Sequence, residues 1–554
     1  MKKVLFVASE VSPYAKSGGL ADVAGSLPKE LLKMGYDIKV VMPLYREVKQ
    51  QMEYVTDYPI YMQGRKENCI VRKHIQNVED KNLTTYFIDN IRYFDRDGLY
   101  CHPDEAERFA FFDKAVVELI RIEKPEVVHL NDWQTGPIAL LLREKHKDIK
   151  TKIIYTIHNM EYNGRFNKGN MYHLDLDDSY FTPEGIEFYG DMSFSKAGIV
   201  YADMITTVSK TYANEIQTSE YGFGYEGLMS LKARQEKLIG ITNAIDYEEY
   251  DPKNDKELYK NYTAETLELK KENKKALQKE LGFEERDVPL LSIISRVVSH
   301  KGYDILVEGL NELLKKDIQF VALGVGDKHY INRLEYLKEK YPGKVSVNHF
   351  FDHELAKRIY AGSDIFLMPS VFEPCGLSQL ISFRYGTVPV VRSTGGLRDT
   401  VIGYGADKEK LILNTFKQVM IIRSNKESKH VRAYFSSIPV IEDNEYKTKK
   451  HLVIQNYNKI SLIDLLDNIV HEFNHAINSY TNEIKTTNKY LLLRTGLTYR
   501  IYKKDNLDFL KVLNKSFHFQ IEETFFQKFP YIYQNHLKHH NDKLTLNILW
   551  QFHI

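Results

Sequence analysis

The chain is poor in cysteine. Only Cys69, Cys101 and Cys375 occur among 554 residues, far apart and without a CxxC pair. That spacing excludes a disulfide framework and a thiolate zinc site, and it fits a reducing compartment such as the cytoplasm. Charge of one sign is also missing: the formal net charge is +1. There is therefore no electrostatic footprint for nucleic acid or an anionic membrane. No apolar run approaches the ~20 residues that span a bilayer. The opening "MKKVLFVASEVSPY" imitates a signal peptide, but "VLFVA" is too short for one and Glu10 follows it. It reads instead as a buried parallel strand. Glycine is absent from most of the last quarter. Residues 406–554 hold only Gly496 of the 30 glycines, while asparagine rises to 15 in those 149 residues against 17 in the preceding 405. Tight strand-to-helix turns need glycine, so the pattern of the first 405 residues cannot continue, and a different segment is expected from 406 to 554.

What is present over 1–405 is an alternation of short apolar runs and amphipathic segments. "KKVLFVAS", "DIKVVMPL", "PEVVHLND", "TKIIYTIHN" and "ADMITTVSK" read as one series of strands. "LLSIISRV", "IQFVALGVGD", "KVSVNHF", "SDIFLMPS" and "VPVVRS" read as a second. Such alternation predicts two parallel α/β sheets, each covered by helices, with domains over 1–245 and 246–405. Ligands of such sheets bind beyond the carboxyl ends of strands, where the distinctive residues fall. Lys16, Gly18 and Gly19 follow the first strand and precede a helix, a setting for an anion. Arg296 and Lys301 follow a strand of the second series and can neutralise a leaving diphosphate. Glu373 lies on a strand-to-helix loop, and Gly395 and Gly396 form a second glycine turn. "GVGD" at 324–327 carries too little information to use.

Taken together, "KSGGLADV", "VHLNDWQTG", "TIHNMEYNGRF", "SRVVSHKG", "MPSVFEPCGLSQL" and "STGGLRDTV" resemble bacterial glycogen synthases and plant starch synthases, in that order along the chain. The resemblance implies a GT-B glycosyltransferase architecture and a retaining glucosyltransferase. Glucose would pass from ADP-glucose to the non-reducing end of an α-1,4-glucan such as glycogen, with no cofactor for the transfer. It further implies that Lys16, Gly18 and Gly19 hold the phosphate side of the donor. Asp22 and His158 would lie at the glucosyl pocket, and Asp132 in the same wall. Arg296 and Lys301 would bind the diphosphate, Glu373 would contact the transferred sugar, and Gly395 and Gly396 would face the donor. Asn159 would shape the loop. Ala244 stands where the family has glycine. After "GGLRDTVIGYG" the family's glycine- and phenylalanine-bearing loop and final helices are missing, which implies a truncated second domain.

One further motif stands apart. "SLIDLLDNIVHEFNHAINSY" has a helical apolar stripe and a capping-box-like start at Ser461 and Asp464. His471 and His475, four residues apart, share a helical face and can bind one zinc, with Glu472 as general base. Glu522 and Glu523 are candidates for a third ligand, Glu523 preferred. The short motif resembles HExxH zincin metallopeptidases and predicts a mainly α zincin-like segment over 406–554. Two alternatives to a glucan synthase follow: a zinc metallopeptidase fused to an inactive transferase body, or a non-catalytic glucan-binding protein.

Overall fold

A computed structural model describes residues 2–402 and, beyond them, only the backbone of short strands between Ile421 and Tyr502. The HEFNH stretch, with His471, Glu472 and His475, and the acids Glu522 and Glu523 lie outside the described residues.

The chain forms two compact units. The first holds Met1–Tyr250 and two later segments, Glu373–Ile381 and Thr394–Asp399. The second holds Asp251–Phe372 and Ser382–Ser393, with the described residues from Thr400 on. The chain therefore leaves the first unit at Tyr250 and returns to it twice, which no reading of a linear sequence into consecutive domains anticipates.

In the first unit, β1 (Lys3–Val7), β2 (Asp37–Pro43), β3 (Glu53–Met62), β4 (Arg65–Val78), β5 (Lys81–Asp89), β6 (Val127–Asn131) and β7 (Lys152–Ile157) belong to one sheet. A small antiparallel sheet, β8 (Arg165–Asn167), β9 (Glu187–Phe188) and β10 (Asp191–Ser193), interrupts the series before β11 (Met204–Thr207) and β12 (Leu238–Gly240) complete it. The strand order is β12-β11-β7-β6-β1-β2-β5-β4-β3. The five strands of the sequence pattern are β1, β2, β6, β7 and β11, all parallel to their neighbours. The pattern missed the edge strand β12 as well as β3, β4 and β5. The last three join as an antiparallel wing, β3 to β4 and β4 to β5, so this sheet is mixed rather than parallel throughout. Their alternating, half-solvated side chains carry a weaker apolar signal than a strand covered on both faces. Phe6, Val7, Val40, Val41, Val128 and Leu130 are fully or nearly fully buried, as strands packed on both sides require.

The second unit carries β13 (Leu290–Ile294), β14 (Gln319–Leu323), β15 (Val345–Asn348), β16 (Ile365–Met368) and β17 (Val388–Val391), ordered β15-β14-β13-β16-β17 and parallel throughout. These match the five strands of the second series. In each unit the strand order reverses at the first strand of its series. The reversal falls between β1 and β6 in one unit and between β13 and β16 in the other. Ligand crevices form at such points because the loops diverge there.

Candidate active site

In the first unit the loop after β1 runs from Ser9 into the helix Gly19–Lys33. Its conformation is set by Glu10, which the sequence pattern does not mark. Glu10 is buried, and its carboxylate accepts from the Ser17 N–H at 2.6 Å. Burial pushes its pKa up, against the opposing hydrogen bonds from Ser17 and Ala21. The loop thus places a carboxylate of its own among the amides that were expected to face an anion. The glycine that the fold demands is Gly25, where a Cβ would lie 2.5 Å from the Ser12 carbonyl. At Gly18 and Gly19 a Cβ would meet only ordinary contacts, at 3.7 Å from Glu10 and 3.6 Å from Leu377. Lys16 pairs with Asp22 at 2.6 Å. The expected phosphate cation and the expected sugar-pocket acid are therefore partners of one another, each about a quarter exposed (24%).

Across the reversal, β6 ends at Asn131, and Asp132 follows with φ 57° and ψ 178°. That is a conformation reserved for glycine unless the surroundings impose it. The surroundings here are explicit. The Asp132 N–H donates to the Thr156 carbonyl at 2.9 Å, and its own carbonyl accepts from the Thr135 amide and hydroxyl, each at 3.1 Å. The Asp132 carboxylate accepts from the His158 N–H at 2.7 Å. Burial pushes its pKa up to about 7, opposed by hydrogen bonds from the His158 and Asn159 amides, with the charge of Glu10 adding to the rise. Asn159 thus contributes through its backbone, in keeping with a loop-shaping part.

His158 is buried. Its Nε2 lies 3.0 Å from the Asn131 amide oxygen. The Asn131 amide nitrogen donates to the Val7 carbonyl at 3.0 Å, which leaves Asn131 Oδ1 as the acceptor and places the imidazole proton on His158 Nε2. Burial holds the ring's pKa down at about 3, with His129 nearby adding to the effect. The ring is therefore neutral at physiological pH. Asn131 is a second residue that the motifs did not single out. Its only sequence signal is its place at a strand end beside Asp132.

Glu373 is buried and packs in the first unit. Its loop lies against the other glycine turn without any side chain between them. A Cβ at Gly395 would fall 1.9 Å from the Glu373 carbonyl, and one at Gly396 2.3 Å from the Cys375 carbonyl. The Gly396 amide donates to the Glu373 and Pro374 carbonyls, each at 3.1 Å. The Gly395 amide donates to the Glu215 carboxylate. These glycines therefore permit close backbone approach, and their amides bond within the first unit.

In the second unit, Arg296 and Lys301 sit on the loop from β13 through the turn Ser299–Lys301. Arg296 is exposed and Lys301 half-buried. The loop is anchored by Gly302, with φ +80° and a virtual Cβ 2.1 Å from the Pro369 carbonyl beyond β16. It is also anchored by the passed-over "GVGD" segment. Virtual Cβ atoms at Gly324 and Gly326 would meet the Ser295 and Val297 carbonyls at 1.8 and 2.2 Å. The Val297 amide donates to Val325 at 2.8 Å, and the Asp327 amide returns to Val297 at 2.7 Å. Those glycines shape the loop that carries the two cations.

The description "Starch synthase catalytic domain" matches residues 3–231, and "Glycosyl transferases group 1" matches residues 273–413. A glycogen synthase of Moorella thermoacetica is 51% identical over 405 residues, covering 72% of this chain and 82% of the relative. One from Desulforudis audaxviator is 49% identical over 418 residues, 73% of this chain and 83% of the relative. Among solved structures, the catalytic domain of starch synthase IV from Arabidopsis thaliana, bound to ADP and acarbose, is 32% identical with a TM-score of 0.70. That likeness covers 77% of this chain and 89% of the other.

Proposed function

Because this chain belongs to the glycogen and starch synthase family, with its GT-B fold, we propose how its residues divide the work of that family's reaction. The chain is an ADP-glucose-dependent glucosyltransferase that extends an α-1,4-glucan. The identity of about half, sustained over 405 residues, carries this reading.

In our reading the donor loses a nucleoside diphosphate, whose charge is taken by Arg296 and Lys301 of the second unit. In the first unit Gly18 and Gly19 lie next to Lys16. The fold gives no steric reason for glycine at either position, which supports close approach of the donor there. Lys16 exchanges Asp22 for a donor phosphate, and Asp22 is released toward the sugar. The neutral His158 ring and the strained, half-buried Asp132 form the wall of the glucosyl pocket, and Glu373 contacts the transferred sugar. The acceptor hydroxyl attacks on the face that the diphosphate leaves, so the anomer is retained. We assign no protein nucleophile and no cofactor to the transfer. The acceptor is glycogen, and the compartment is the cytoplasm. Among the described residues no helix is long and apolar enough to cross a membrane.

Incorporation of labelled glucose from ADP-glucose into glycogen tests the reading. Absence of incorporation with either ADP-glucose or UDP-glucose would overturn it. For HEFNH the proposal remains a zinc held by His471, His475 and Glu523 with Glu472 as base, supported by the histidine spacing alone. Metal analysis of the purified full chain, with His475→Ala as control, decides it: equal zinc in both removes the site.

A further inference from the structure

The loop that bears Glu373 is held by two short helices that exchange carboxylates. The helix Lys210–Glu215 begins after Ser209, whose hydroxyl accepts from the Tyr212 amide at 3.1 Å and donates to the Pro374 carbonyl at 2.6 Å. At its start, Thr211 donates its amide at 2.8 Å and its hydroxyl at 2.5 Å to the Asp399 carboxylate. Asp399 lies near the end of the helix Gly395–Thr400. At the start of that second helix, the Gly395 amide donates to both oxygens of Glu215, at 3.0 and 3.1 Å, and the Thr394 hydroxyl donates at 3.2 Å. Glu215 is the last residue of the first helix. Each helix thus supplies the anion at the other's amino end, where the backbone dipole favours negative charge. The clasp residues Ser209, Thr211, Glu215, Thr394, Gly395 and Asp399 all belong to the first unit.

The consequence reaches Glu373 through the glycine pair. With virtual Cβ atoms at 1.9 and 2.3 Å from the Glu373 and Cys375 carbonyls, the Gly395–Thr400 helix rests directly on the backbone of that loop. Nothing compressible separates them, so a shift of the helix is a shift of the loop. We propose that Glu215 and Asp399 are positioning residues that form a reciprocal clasp and set the place of Glu373. Neither touches the reacting atoms. Both act through the helix that braces the Glu373 loop, and loss of either releases it. The proposal builds on the transferase reading, but its first test does not need turnover.

Cys375, two residues past Glu373, reports on the loop. It is buried, its thiol pKa is pushed up to about 12 mainly by burial, and the Asn243 amide bonds its sulfur. Cys101 is exposed, and Cys69 is buried in β4 of the same unit. In a Cys101→Ser background of the full chain, labelling by a thiol-disulfide reagent is followed at Cys375 and Cys69 by peptide mass. Glu215→Ala with Asp399→Ala is expected to speed labelling of Cys375 by about tenfold or more while Cys69 stays protected, as for a local opening. Equal acceleration at both cysteines would mean general loosening and would overturn the positioning role. So would a Cys375 rate within about twofold of the parent. If the alanine pair does not fold, Glu215→Gln, which keeps an acceptor for the Gly395 amide, and Thr211→Val, which removes only the hydroxyl donor, are the readable variants. An intermediate Cys375 rate supports the clasp, and an unchanged rate in both refutes it. With active enzyme, kcat should fall about tenfold in Glu215→Ala at nearly constant donor KM, and glutamine should restore most of it. The double variant should be no worse than the worse single, because both act on one element.

Discussion

The two units solve opposite problems at the ends of their sheets. In the first, the candidate side chains include a buried acid, Glu373, a buried imidazole, His158, and a half-buried acid, Asp132, and desolvation displaces two of their pKa values: Asp132 to about 7 and His158 to about 3. In the second, the functional side chains are cations on a loop, and the constraint falls on the backbone, through Gly302, Gly324 and Gly326 packed against carbonyls. The difference fits the roles proposed for these groups. Groups that contact a reacting sugar gain from a dry and fixed setting. Cations that meet a diphosphate gain from a loop whose backbone is fixed. A pocket wall is thus organised through side-chain burial and an anion loop through backbone contact.

Four experiments break or sharpen that contrast, from the largest effect down. Glu373→Ala and Asp132→Asn should each lower glucose transfer by about a hundredfold or more, as expected for groups aimed at the reacting centre. Their nucleotide-induced rise in melting temperature should be retained. Retained transfer in either would remove that residue from the wall.

Next, Arg296→Ala and Lys301→Ala should each weaken ADP-glucose binding by roughly ten- to a hundredfold, the worth of a charge-assisted hydrogen bond. The melting temperature of the free protein should fall by much less than the loss of affinity. A fall in free-protein stability as large as the loss of affinity would show that these cations are structural.

Third, Gly302→Ala should destabilise the chain by about 1–3 kcal/mol from its positive φ, with more from the contact at Pro369, and should weaken donor binding with it. Asp132→Gly should act in reverse on stability. Glycine relieves the φ of 57°, so the melting temperature should rise while transfer is lost. Unfolding measured by calorimetry distinguishes the two, and a destabilised Asp132→Gly would mean that its hydrogen bonds outweigh its strain.

The smallest effect is the pH dependence of stability. Asp132 has a folded pKa of about 7 against an ordinary value of 3.8. The folded state therefore binds more protons than the unfolded state between those values, and stability falls as pH rises from about 4 to about 7. Burial raises Glu10 and Asp113 in the same direction. Asp132→Asn should flatten part of the slope, because one such carboxyl contributes at most about 1.4 kcal/mol for each step of one in pH. Stability followed by denaturant unfolding across that pH range checks it. Asp113 differs from Asp132 in that neither of its buried oxygens has a hydrogen-bond partner. Asp113→Asn should therefore raise stability at pH 8 without changing transfer. Loss of transfer there would show that the Asp113 carboxyl serves the site after all.

Much of this molecule could be read from residue order. Every strand of the second sheet, and β1, β2, β6, β7 and β11 of the first, announce themselves as short apolar runs, because strands covered on both faces must be apolar throughout. Lys16, Arg296, Lys301 and Glu373 stand out as residues on loops at the carboxyl ends of strands, where ligands bind, whereas Asp132 and His158 stand out only through the family resemblance. Glu10, Asn131, Glu215 and Asp399 were not legible. Three of them act on a group far along the chain: Asn131 on a ring 27 residues away, Glu215 on an amide 180 residues away, and Asp399 on one 188 residues away. A hydrogen bond between distant residues leaves no period and no spacing in the chain. The glycines show the same division. Sequence marked Gly18, Gly19, Gly395 and Gly396 by their pairing. Tertiary structure decided that Gly25, Gly302, Gly324, Gly326 and Gly395 are among those that a neighbouring carbonyl leaves no room to replace, since only packing determines which backbones meet.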